Sequence, residues 1–79
     1  MSVLVKLSTS LREHVPGYDP INGLQVAVNG TSTPLALAQS LNLPEDEITI
    51  IMVNGLHAAL DTPVHDGDRV AFFPPVGGG

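Results

Sequence analysis

"TPLALAQSL", Thr33 to Leu41, is the stretch on which the fold of this 79-residue chain turns. A threonine can cap the free N–H groups at a helix start. A proline suits the first turn, where its missing N–H costs nothing. Leu35, Ala38 and Leu41 then fall on one face, with Leu37 beside them. Asn42 and Pro44 stop the helix. This is the one clear helical pattern in the chain.

Outward from it, the sequence reads as strands. Upstream, Leu24, Val26 and Val28 alternate with polar or small residues and end at Asn29-Gly30. Before them, Thr9 to Asn22 carries the breakers Pro16-Gly17 and Asp19-Pro20, and only Leu11 and Val15 support a helical turn, so this stretch reads as a long loop. Val3, Val5 and Leu7 alternate with Ser2, Lys6 and Ser8, and Leu4 adds apolar surface to the second face, which points to a central strand.

Downstream, Glu45-Asp46-Glu47 reads as a solvated connection. Ile48 to Val53 is apolar on both faces, the pattern of a buried strand. Asn54-Gly55 is the strongest hairpin signal and turns the chain into a short strand near His57 to Leu60. Asp61 to Asp68 holds Pro63 and an Asp66-Gly67 turn, and Val70 to Phe73 forms the last strand. Pro74 ends it, because proline cannot extend a ladder.

One helix among five strands predicts an α+β domain, a mixed five-stranded sheet packed on one main helix. Strands before and after a helix imply one parallel pair, joined by a right-handed crossover. This is the ubiquitin-like β-grasp arrangement. It is expected over residues 1–74, followed by a flexible, extended C-terminal glycine tail over residues 75–79.

Composition narrows the function classes. The chain is 43% hydrophobic and 14% charged, which suits a single globular domain. Its formal net charge is −5, with only Lys6, Arg12 and Arg69 positive, so no basic cluster exists to neutralise nucleic-acid phosphates or an anionic membrane. There is no cysteine, hence no disulfide framework, thiolate nucleophile or cysteine-based metal site. The N-terminal apolar run is too short for a signal peptide and no stretch reaches transmembrane length, which makes the cytoplasm the expected compartment.

The body offers little chemistry. His14, His57 and His65 are the candidate general bases, and none has a second ligand at metal spacing. His65-Asp66-Gly67-Asp68 reads more simply as a turn than as a site. No glycine-rich phosphate loop precedes a helix, and Ser8, Ser10 and Ser40 lack the surroundings of an exposed nucleophile. No active site, cofactor site or metal site is expected in the body.

The end of the chain is different. Pro74-Pro75 holds a stiff extended path, and Gly77-Gly78-Gly79 has no side chains to block a narrow channel. From Pro74 to Gly79 the chain spans about 20 Å when extended. That length can carry a carboxylate into another protein's active site. The plainer alternative is a frayed terminus. A carboxylate must be activated before it reacts, most simply as an acyl-adenylate. With no side-chain thiol available, sulfur can ride only on the chain's own end.

Asp66-Gly67-Asp68-Arg69-Val70-Ala71-Phe72-Phe73-Pro74-Pro75-Val76-Gly77-Gly78-Gly79 closely resembles the end of the MoaD/ThiS-type sulfur carriers, and most of all the MoaD branch, the small subunits of molybdopterin synthase. Leu11-Arg12-Glu13 resembles the "VRE" that follows the first strand there. The resemblance covers nearly the whole chain, and only the last fourteen residues are specific.

It implies a carrier that binds no cofactor of its own. An adenylating, MoeB-like enzyme of the ubiquitin-activating type would use ATP on Gly79, and a sulfur donor would convert the adenylate to a thiocarboxylate. The tail would then enter a MoaE-like large subunit, in a heterotetramer, and give sulfur to a pterin precursor. Two such turnovers build the dithiolene that binds molybdenum or tungsten.

By the same resemblance Gly79 carries the acyl group and Gly78 is its required neighbour. Phe72, Phe73, Pro74, Pro75, Val76 and Gly77 are the expected partner contacts, with Arg12 near the activating enzyme. Strand alternation sends one phenylalanine into the core and the other outward. The outward one, with Val76, is the candidate docking contact. Gly77 and the loop containing Pro16-Gly17-Tyr18-Asp19-Pro20 depart from the family pattern, and the loop bears on which activating enzyme or acceptor is recognised. Sulfur delivery to thiazole, cysteine or tRNA, and conjugation to lysines as a ubiquitin-like modifier, stay open as alternatives.

Overall fold

A computed structural model of the chain describes residues 1–75. The elements in order are β1 (Ser2–Leu7), a 3-10 helix (Thr9–His14), β2 (Leu24–Ala27), α1 (Pro34–Ser40), a 3-10 turn (Glu45–Glu47), β3 (Ile50–Val53), β4 (Leu56–Ala58) and β5 (Arg69–Phe73). The strands form one sheet in the order β2-β1-β5-β3-β4. The fold is the expected ubiquitin-like β-grasp, with a mixed sheet holding one main helix. The parallel pair is β1 with β5, the first and last strands, and the other pairings are antiparallel. β5, rather than β1, takes the middle position, with β1 beside it.

The helix forms where the cap and proline are. Thr33 Oγ1 accepts from the Ala36 N–H at 3.1 Å, and Pro34 occupies the first turn. At the other end Asn42 takes φ +58, the Asn42 N–H donates to the Gln39 carbonyl, and the Leu43 N–H donates to Ala38. This paired closure satisfies the last carbonyls and turns Leu43 into the core. The buried face is Pro34, Leu37 and Ala38, one step round from the expected Leu35–Ala38–Leu41 face. A seven-residue helix starting at Pro34 buries the i, i+3, i+4 set counted from its first residue, which leaves Leu35 half-buried.

β1 sends Val3, Val5 and Leu7 into the core. They meet Val70 and Phe72 of β5, Ile51 of β3 and Leu37 of α1 in one cluster. Further expectations are corrected. Thr9–His14 is a 3-10 helix and not loop, because Leu11 is fully buried and pins the turn to the core. Glu45–Glu47 is likewise a 3-10 turn. β3 is not buried on both faces: Ile51 is buried, whereas Ile50 and Met52 lie half-buried on the sheet face opposite the helix, which no described element covers. Asn54 (φ +51) and Gly55 (φ +83) make the two-residue turn. It pairs Val53 with Leu56, so β4 starts one residue earlier than expected.

Candidate functional site

The root of the tail is built by the central strand. The Ser8 N–H donates to the Phe72 carbonyl at 3.2 Å, and the Thr49 N–H donates to the Phe73 carbonyl at 2.8 Å. Hydrogen bonds therefore hold the end of β5 from both sides, at Phe72 beside β1 and at Phe73 beside β3. Pro74 has no N–H to continue the ladder, and the chain leaves the sheet there. The expected partner contacts Val76 and Gly77, and the expected acyl carrier Gly79 with its neighbour Gly78, lie outside the described residues.

Alternation separates the two phenylalanines. Phe72 is 0% exposed and sits between Leu7 and Ile51 in register, so its place among the partner contacts is corrected: it anchors the strand. Phe73 lies on the opposite face, half-buried, directly across from Ile50. Pro74 is half-buried and Pro75 exposed.

The register defines what surrounds Phe73. Leu4, Ala71, Phe73, Ile50 and Met52 share the open face, an apolar strip crossing β1, β5 and β3. Lys6, Arg69 and His57 lie on the same face, and the strands place no carboxylate on it. Two of the chain's three Lys and Arg residues are thus gathered on one surface of a protein whose net charge is −5. Single-strand patterns reveal Leu4 and Met52 as second-face apolar residues. The register alone shows that they adjoin.

Arg12 is exposed, and its position is set by the end of β1. Its Nε donates to the Leu7 carbonyl at 2.9 Å, and its guanidinium carbon lies 6.0 Å from the Tyr18 ring centre. The Tyr18 hydroxyl accepts from the Leu7 N–H at 2.8 Å. Leu7 pairs with Phe72, so Arg12 stands at the same end of the sheet as the tail root. One of its N–H groups is committed to holding the fold.

The histidines are scattered. His14 Nε2 lies 3.1 Å from Glu47 and joins the two 3-10 segments. His65 Nδ1 lies 3.8 Å from Asp68, and His57 is exposed on the edge strand β4. Asp68 also accepts from the Asn54 amide at 3.0 Å and the His65 N–H at 2.8 Å, and Asn54 Oδ1 accepts from the Arg69 N–H. These bonds, the Asn54 amide foremost, hold the Asp68 carboxyl below the usual aspartate range. The group that reads in sequence as a turn is therefore a clamp on the start of β5. Among the described residues no three ligating side chains gather as a metal site, and no helix is long and apolar enough to cross a membrane.

Comparison with known proteins converges on one family. The ThiS family model matches residues 35–79. The chain is 51% identical over 73 residues to the molybdopterin synthase sulfur carrier subunit of Escherichia coli K12, covering 92% of this chain and 84% of that one. Among solved structures, the small archaeal modifier protein 1 of Haloferax volcanii superposes with a TM-score of 0.72 at 25% identity, over 95% of this chain and 98% of that one. A chain in the complex of subunits 1 and 2 of the molybdopterin-converting factor from Helicobacter pylori superposes with a TM-score of 0.61 at 25% identity, over the whole of both chains.

Proposed function

We propose, because this chain belongs to the ThiS family, that it works as a sulfur carrier and is the small subunit of a molybdopterin synthase. The observation that carries this reading is the 51% identity to the Escherichia coli carrier subunit, joined to a tail rooted on the central strand. A strand held on both sides gives the tail a fixed origin and direction. The carboxylate at Gly79 attacks the α-phosphorus of ATP on an adenylating enzyme, and pyrophosphate leaves. A hydrosulfide equivalent displaces AMP from the acyl carbon, and the resulting thiocarboxylate gives its sulfur to the pterin precursor and returns to a carboxylate. Gly78 and Gly77 let the end pass through a narrow entrance.

The body supplies docking. The open face beside the tail root is apolar with a cationic rim, and it suits an apolar surface edged with carboxylates on the large subunit. The Helicobacter pylori neighbour comes from a complex of two such subunits, which supports a large-subunit partner here. Phe73 is the contact closest to the tail, with Pro74, Pro75 and Val76 continuing from it. Arg12, which is exposed, is the contact for an acid on the activating enzyme. Each of these events takes place in the cytoplasm.

Intact-mass measurement after incubation with the activating enzyme, ATP and a sulfur source tests the reading. The expected product is a single oxygen-to-sulfur exchange at Gly79. Unchanged mass with the cognate enzyme overturns it. The likeness to an archaeal modifier protein supports a second reading, conjugation through Gly79 to lysines of other proteins. That reading requires a ladder of larger species that vanishes when Gly78 and Gly79 are removed.

A further inference from the structure

The loop that departs from the family pattern ends in the most exposed large apolar side chain described: Ile21 is 80% exposed. Its backbone is nevertheless fixed. Asp19 Oδ1 accepts from the Ile21 N–H at 2.8 Å and the Asn22 N–H at 3.1 Å, and Asp19 Oδ2 accepts from the Asn22 amide at 2.8 Å. The Gly23 N–H donates to the Asp19 carbonyl at 2.8 Å. The Lys6 ammonium donates to the Ile21 carbonyl at 2.6 Å.

Gly23 fastens the loop to the sheet. A Cβ there would fall 2.8 Å from the Val5 carbonyl oxygen and against the side chains of Lys6 and Leu4. Leu4 and Lys6 are open-face residues, so the loop adjoins that face where the chain enters β2. An exposed isoleucine whose backbone is already hydrogen-bonded in place has little backbone ordering left to lose on binding, which favours it as an interface anchor.

We propose that the Asp19–Gly23 loop is a second docking element for the large subunit, with Ile21 seated in an apolar pocket and Lys6 facing a carboxylate at its rim. This rests on the carrier reading. It assigns partner choice to a loop of the body rather than to the tail, and the occupant is the large subunit because the open face it adjoins is the face proposed to dock there.

Titration calorimetry with the large subunit encoded in the same genome tests it. Ile21→Ser is expected to weaken binding about tenfold, with the melting temperature and the rate of thiocarboxylate loading unchanged. Asp19→Ala, which frees the tip, is expected to weaken binding in the wild-type background and to add nothing to Ile21→Ser; additive losses would reduce Asp19 to a general structural role and overturn its place in the proposal. Equal affinity of Ile21→Ser and wild type overturns the proposal while leaving the carrier reading standing. A loss of loading with unchanged affinity assigns the loop to the activating enzyme and also overturns it. A wild-type chain that neither loads sulfur nor binds the large subunit overturns both.

Discussion

Adjacent residues of identical type do opposite work at the end of β5. Phe72 fills the core and Phe73 faces outward, because a strand alternates sides with every residue. Phe72→Ala is expected to cost about 3–5 kcal/mol in chemical unfolding, the range for emptying a buried aromatic site. Phe73→Ala is expected to cost far less in the same measurement and to weaken capture of the large subunit. Asp68 gives a pH-dependent counterpart. Its folded pKa lies below the ordinary 3.8, so its contribution is present above that value and disappears as pH falls through the lower, folded one. Melting temperatures of wild type and Asp68→Ala, followed from about pH 6 to pH 2, are therefore expected to differ at the upper end and converge at the lower.

The elements are held by their ends as much as by their lengths. α1 has only seven residues and depends on Thr33 at one end and the Asn42 closure at the other. The connection from β1 to β2 is more tightly made still. Gly23 has φ +78, and an added Cβ would meet backbone oxygen that cannot swing away. Gly23→Ala is accordingly expected to lower stability by about 1–3 kcal/mol, read from urea unfolding, through both the left-handed backbone and the contact with Val5. Helical and hairpin signals were legible here because caps and turn residues act locally. The Thr9–His14 helix was not: its one strong determinant is Leu11, and a lone leucine shows its burial only when the core it enters exists.

In the whole molecule, the described core precedes the candidate reactive end in the chain. Among the described residues the buried cluster ends with Phe72, and the last ladder bond of β5 is made by the Phe73 carbonyl. Deleting Gly78 and Gly79 is therefore expected to leave the melting temperature within about a degree of wild type. The same deletion is expected to abolish the sulfur-exchanged mass, so the pair of measurements separates a failed fold from a failed carrier. Charge is divided as well. The carboxylates dominate the chain, while Lys6 and Arg69 share the open face with the apolar strip, giving one surface a character the net charge of −5 conceals.

The amino-acid sequence by itself determined the number and order of strands, the single capped helix, the hairpin at Asn54-Gly55 and the family of the tail. Each of these rests on interactions within a few residues or on a contiguous motif. Only the tertiary structure decided that β5 lies at the centre of the sheet, which phenylalanine points outward, and that Leu4, Phe73, Ile50 and Met52 meet on one face that no described element covers. Only there does Ile21 stand beside Lys6. These depend on strand register and on pairs distant in sequence. A period-two pattern states that a strand has two faces, but not which neighbours complete them.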